Sequence, residues 1–394
     1  MNGIFAVEKP SGVSSSNVVL QLQSIFNGSG VFAKDLAEEK QKVHEQLTAG
    51  TKWSASKIAN RVQRKKIKVG HGGTLDPLAS GVLIIGIGTG TKQLSYYLGE
   101  CTKTYETRAV LGQSTTTGDS EGEVVTQTEV GDVTLERLKK AAAKFVGKIK
   151  QTPPVYSALK VDGKPLYEYA RKGIPVPKAL KPRDVKVLSF VVHDDFGPHE
   201  KYGALSCCDA GESMGKAIFN NPTLNDHDLF YSEEFMNNPD VSDDEKITKI
   251  HPKLLDPSVP IAANPPVFHA TATVGSGTYI RSLVSDLGRA VGSSAFMAEL
   301  IRSKQADWEL GKNVFSLKDF TDRDEKVWGP VLKTVFDTGS SVDLAEEFKN
   351  AEERVGREKK GEEKEEEKKE EEKKEEEKKE EKEERGRRRE TQKG

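Results

Sequence analysis

No stretch of this 394-residue chain approaches the roughly 18 to 20 consecutive apolar residues that a membrane-spanning helix needs, and the N-terminus lacks the charged-then-apolar pattern of a secretory signal. A soluble, intracellular protein without membrane contact is expected. Cysteine is scarce. Cys101, Cys207 and Cys208 are too few for a disulfide framework and lack the paired spacing of a structural zinc site, so they read as ordinary thiols. Hydrophobic residues make up only 35% and aromatic residues 7%. That is low for a chain long enough for one large or two medium domains, so part of it must lie outside any core. Common phosphate-binding and hydrolytic signatures are missing too. The run Gly86-Ile87-Gly88-Thr89-Gly90-Thr91-Lys92 lacks the glycine before lysine and the hydroxyl residue after it that a P-loop needs, and no HExxH helix occurs.

What is present is charge, unevenly spread. The formal net charge of −2 hides three regions: a tail from Glu352 to Gly394 with 17 basic and 19 acidic residues, a stretch from His193 to Pro260 with 5 and 14, and a remaining body that carries +9. A basic body suits phosphate binding, since lysine and arginine displace counterions from a polyanion. The cluster Arg61, Arg64, Lys65, Lys66 and Lys68 leads directly into the glycine-rich run from Gly70 to Gly81. Residues 151–183 interleave prolines, tyrosines and cations. They hold too few apolar residues to be core, and aromatics among cations suit a grip on an exposed RNA loop; a surface excursion that touches nothing is the other reading.

Hydrophobic periodicity predicts strands over Ile4–Val7, Val82–Ile87, Thr104–Leu111, Val185–Val192 and Val267–Val274, and helices through Val18–Ile25, Leu135–Phe145 and Ser282–Val291. Intermixed strands and helices imply an α+β fold around a mixed sheet. Asn27–Gly50 reads as an exposed insertion and His193–Pro260 as a polar, partly disordered one. The repeated Glu-Glu-Glu-Lys-Lys unit of the tail reads as a solvated helix or a disordered segment with no face able to pack.

Among candidate site residues Asp76 stands out. Taken alone, Asp76-Pro77 after glycines is a turn. Its surroundings add to that. Gly72 and Gly73 permit close approach of a ligand to the backbone, His71 lies just upstream, and Tyr279 and Arg281, two apart on an expected strand end, would offer a ring and a guanidinium to one face.

Five ordered blocks carry a resemblance: VEKPSG at 7–12, GHGGTLDPLASG at 70–81, KTYETRAVLGQSTTTGDSEG at 103–122, QTPPVYSALKVDGKPLYEYARKG at 151–173 and GTYIRSLVSDLG at 277–288. They are similar to the TruB family of tRNA pseudouridine synthases, and more narrowly to its fungal members acting on tRNA uridine 55. The resemblance implies the pseudouridine synthase fold, with a mainly antiparallel central sheet and flanking helices. It implies a catalytic domain over residues 1–325 with insertions at about 27–60 and 193–260 and a thumb loop at about 151–183, then a short extension at 326–350 and a charged tail at 351–394. It also implies roles: Asp76 as the catalytic aspartate, Tyr105 as the tyrosine beside the target base, Arg281 as the arginine paired with the aspartate, and Tyr279 as a second active-site tyrosine. His71 would assist base flipping, Asp119 would contact RNA, and Lys9 would lie near the site. Gly72 and Gly73 belong to the RNA-binding set, as do Tyr156, Lys160 and Arg171 in the thumb. No cofactor or metal is implied. The implied partner is the T-arm of tRNA, with T-loop-like stems in messenger RNA as further candidates, and a monomer is expected. The segment after Phe320 is too short for the small RNA-binding domain that many relatives append. The nucleus and cytoplasm are the expected compartments, with mitochondrial import requiring an internal or extended signal. A non-catalytic tRNA-binding or tRNA-folding protein on the same scaffold is the alternative.

Overall fold

The computed structural model describes residues 1–205, 222–255 and 264–391. Cys207 and Cys208, and parts of the expected acidic insertion, lie outside them; Cys101 is buried and unpaired. Among the described residues no helix is long and apolar enough to cross a membrane.

The strands in chain order are β1 (Gly3–Lys9), β2 (Val69–His71), β3 (Ser80–Ile87), β4 (Lys103–Leu111), β5 (Gln113–Thr115), β6 (Val124–Gln127) and β7 (Gly147–Gln151). There follow β8 (Lys160–Val161), β9 (Lys164–Pro165), β10 (Arg183–Pro198), β11 (Pro266–Val274), β12 (Ala295–Gln305), β13 (Trp308–Glu309) and β14 (Val314–Phe315). The main sheet runs β14-β1-β3-β12-β4-β11-β10-β7, with β2 beside β3 and β13 beside β12. Only the β1–β14 and β3–β12 pairings are parallel, so the sheet is mixed and mainly antiparallel. In β4 the alternation that predicts a strand is real at its start: Lys103, Tyr105 and Thr107 point inward while Thr104, Glu106 and Arg108 are half-exposed.

Two hydrophobic clusters hold the sheet. One packs the helices Leu135–Ala143 and Ile280–Ala290 on β4, β10 and β11 through Leu138, Leu283, Leu287 and Phe268. The other packs the helices Ser15–Gly28 and Glu325–Thr338 against β1 and β3 through Phe5, Leu22, Phe26, Trp328 and Leu332.

Several expectations need correction. The polar stretch from His193 does not begin as an insertion, because β10 continues to Pro198, pairing Phe196–Pro198 with Pro266–Phe268 after a bulge. Later in that stretch Leu229 and Tyr231 enter the first cluster, so two apolar residues in a polar context anchor it. In the first insertion Phe32 is fully buried, although the helix Ala33–Gly50 after it adds only the partly buried Leu36 to the second cluster. The thumb is not bare of core: Val155, Leu166 and Ala170 are buried. The tail is helical over Leu344–Thr391, and its first turns do pack, with Leu344, Phe348, Ala351 and Val355 buried in the second cluster. Residues 326–350 are thus part of the body.

Candidate active site

The loop between β2 and β3 carries Asp76, and several backbone groups of that loop are held by groups from elsewhere in the chain. Ser15 Oγ accepts from the Leu75 N–H at 2.9 Å and lies 3.1 Å from the Leu75 carbonyl. Ser11 Oγ donates to the Leu78 carbonyl, and the Gly12 N–H donates to that of Pro77. From below, Arg302 donates to the Gly73 carbonyl and Gln305 to that of Gly72. Gly72 answers to this packing. A Cβ there would lie 2.8 Å from Tyr97 and 3.1 Å from Ile84, so the space it frees is filled by the protein itself and not left for a ligand.

Arg281 is the second residue of the Ile280–Ala290 helix, and Tyr279 is its N-cap. The expected strand-end geometry is therefore replaced by a helix start. Arg281 is 3% exposed and fixed on all sides. Its Nε meets Asp76 Oδ2 at 2.9 Å, while its two terminal nitrogens donate at 2.7 Å to the carbonyls of Thr117 and Tyr156. Asp119 lies 3.7 Å behind it and accepts from Thr117 Oγ1 and the Glu121 N–H. That carboxylate is buried and turned to protein partners. Tyr279 is held by Gln151, whose amide accepts from the Tyr279 N–H at 2.8 Å and donates to its carbonyl at 3.1 Å.

Around this pair lies a cleft of two lobes, about 360 and 220 Å³, that share Asp76, Arg281, Thr74, Leu75, Ser157 and Ala158. The larger lobe adds Asp119, Glu121, Tyr156, Tyr167 and Arg171; the smaller adds Gly73, Lys103, Tyr105 and Tyr279. Arg171 stacks on Tyr167 at 5.2 Å. His71, Gly72, Lys9 and Lys160 line neither lobe. His71 sits at the end of β2 with Nδ1 unpartnered, and burial, aided by Arg302, lowers its pKa below the ordinary value, which keeps the ring neutral. Lys160 stands exposed on the β8–β9 hairpin. Lys9 is fully buried beneath the loop, with Nζ donating to the carbonyls of Pro10, Val13 and Pro77. Burial lowers its pKa to about 8, with the negative charge of Asp76 the main opposing influence. Glu121, at the cleft mouth, is shifted upward by burial and by Asp119 and Asp76.

Sequence reasoning missed Gln151, Lys103, Glu121 and Arg302. The first three sit inside the quoted blocks, where neighbouring residues drew the attention. Arg302 lies outside every quoted block, in β12 between Glu299 and Lys304, where one more charged residue carries no signal. A separate cavity of about 750 Å³, lined by Tyr231, His251 and Arg289 among others, contains none of the expected site residues. Among the described residues no group of three or more His, Cys, Asp or Glu could hold a metal ion.

With this geometry in place, comparison with known proteins is informative. A family model described as TruB family pseudouridylate synthase (N terminal domain) matches residues 60–202, which include Asp76 and β4. The tRNA pseudouridine synthase 4 of Saccharomyces cerevisiae is 45% identical over 368 residues, 90% of each chain. That of Schizosaccharomyces pombe is 35% identical over 355 residues, 81% of this chain and 82% of its own. Among solved structures, a chain of the crystal structure of a Cbf5-Nop10-Gar1 complex is similar at 19% identity with a TM-score of 0.42, covering 89% of this chain and 59% of that one. Sheet, cleft and sequence matches define the class, an isomerase of the pseudouridylate synthase type. Within that class the chain belongs to the TruB family.

Proposed function

We propose that this protein converts uridine 55 in the T-loop of tRNA to pseudouridine. The observation that carries the reading is the Asp76–Arg281 ion pair common to both lobes of the cleft, with Tyr105 and Tyr279 in one lobe and the thumb residues Tyr156 and Arg171 in the other. The names of the relatives, tRNA pseudouridine synthases, support the substrate class and not the non-catalytic alternative.

A stacked uridine is out of reach, so it must be extruded at a cost of roughly a few kcal/mol. His71, neutral at the end of β2, and the closing thumb offset that cost. Tyr105 offers its ring to the extruded base. In the reaction the bond from C1′ to N1 breaks, the base turns, and a bond from C1′ to C5 forms. The C5 proton leaves and N1 takes one up, so the oxidation state is unchanged. Asp76 acts as nucleophile at the base or the sugar, or removes a sugar proton. Arg281 orients it through a guanidinium anchored on two carbonyls. Asp119 acts behind Arg281 as a positioning residue.

The test is tritium release from carbon-5-labelled uridine in unmodified tRNA transcript. Release should need both Asp76 and uridine 55, vanishing in Asp76→Asn and in a transcript with cytidine at 55. Because phosphate contacts dominate binding, Asp76→Asn should keep RNA affinity within about tenfold. Tight binding without any release by the wild type would instead favour the RNA-binding alternative.

A further inference from the structure

The basic cluster ahead of the active-site loop plays no part in the site just described. Residues 52–68 contain Lys52, Lys57, Arg61, Arg64, Lys65, Lys66 and Lys68 and no acidic residue. They form the helix Ala55–Gln63 and the segment that leads into β2. Ile58 is buried, fixing which side of the helix meets the body, and Lys57, Arg61 and Arg64, at i, i+4 and i+7, are all exposed. Successive cations are thus spaced about 4.5 to 6 Å along the helix axis.

The stripe lacks the acidic partners that some other surface lysines have. Lys139, Lys140 and Lys148 each face a carboxylate within 3.0 Å. Within 52–68, by contrast, Lys65 with Glu39 is the one ion pair among the described residues. Lys66 and Lys68 share a depression with Asp35, Glu38 and Glu39, so the uncompensated stripe is Lys57, Arg61 and Arg64, with Lys52 at its start. Helix electrostatics do not account for it. Arg61 and Arg64 suit a helix C-terminus, but Lys57 sits in the first turn, where a cation is unfavourable, and like charges at i,i+4 repel. Trp53, at the start of the segment, has Lys57 Nζ 4.2 Å above its ring, which stiffens that lysine while leaving it at the surface.

We propose that the stripe Lys57–Arg61–Arg64 is a phosphate-binding surface that holds the RNA substrate outside the catalytic cleft. Its occupant is the sugar-phosphate backbone of RNA, selected by charge and not by base sequence. This rests on the reading of the protein as an RNA-modifying enzyme and adds an anchoring surface joined through β2 to the loop that carries Asp76.

The experiment compares wild type with the triple variant Lys57→Gln/Arg61→Gln/Arg64→Gln, measuring affinity for unmodified tRNA transcript over a range of salt concentrations. A second triple variant, Lys139→Gln/Lys140→Gln/Lys148→Gln, removes as much charge from acid-paired positions. For the stripe variant the slope of log affinity against log salt should become shallower by about 2 to 3, and affinity should fall about tenfold or more. Turnover at saturating RNA should be unchanged, and the control variant should keep the wild-type slope. An unchanged slope in the stripe variant overturns the proposal and turns attention to an acidic protein as the occupant. An equal loss in the control overturns it as well, since net charge alone would then explain the effect. Binding is read here without turnover, so a wild type that binds steeply but releases no tritium sinks the proposed activity and leaves the surface standing.

Discussion

Lys9 has an environment unlike that of an ordinary lysine, an ammonium with no exposure and three carbonyl partners. Its pKa falls from 10.5 to about 8 on folding, because burial penalises the charged form. Between those values the unfolded chain holds a proton that the folded chain has released, so stability should rise with pH across that window; below about 8 both states are protonated and the contribution is flat. Urea unfolding at several pH values should therefore show a rising component in the wild type that Lys9→Met lacks, and parallel profiles would refute the assignment. The sequence placed Lys9 near the site only through the block that contains it. Asp76, Tyr105 and Arg281 were legible in the same way, as members of ordered blocks whose chemistry is visible one residue at a time. Gln151, Arg302 and Ser15 were not, because each serves by holding another residue's backbone, and a backbone partner leaves no mark in composition or spacing.

At the level of elements, periodicity found the strands on either side of the active site because each buries one or both faces over a full run, as β3 and β4 do. It misread Tyr279-Ile280-Arg281 as a strand end. The helix starts one residue before Arg281, capped by Tyr279 with no side-chain hydrogen bond, so the usual Ser, Thr, Asp or Asn signal was missing. It also set the boundary of the tail by composition, at residue 351, whereas packing extends to Val355. Two truncations separate the packed from the solvated part. A chain ending at residue 359 should unfold at the wild-type temperature and keep full turnover. One ending at residue 343 should be markedly less stable, since it loses the side chains of Leu344, Phe348, Ala351 and Val355, with each large one worth about 1.5 to 3 kcal/mol. Equal melting temperatures would show that the helix start contributes nothing to the core.

For the molecule as a whole, the stretch from His193 to Pro260 reads in the sequence as a polar insertion. The structure ties it in. Leu229 and Tyr231 belong to the first cluster, Tyr231 packs on Phe145 at 5.4 Å, and Asn225 donates to Ser114 at 2.8 Å. Deleting residues 197–258 should thus lower the melting temperature sharply, a point that a thermal denaturation curve settles. Replacing exposed acids such as Asp240, Asp243 and Asp244 by amides is the milder way to ask whether their charge keeps unrelated RNA away.

The last helix has a consequence for how the molecule moves in solution. Beyond Val355 it runs on to Thr391 without a buried side chain among those described, supported by pairs such as Glu370 with Lys374. At 1.5 Å per residue that is a rod of roughly 50 Å. Such a rod drags on the solvent far more than its mass warrants. A single 43.3 kDa chain should therefore emerge early from a gel-filtration column and pass for a dimer, and light scattering, which weighs particles and ignores their shape, tells one chain from two.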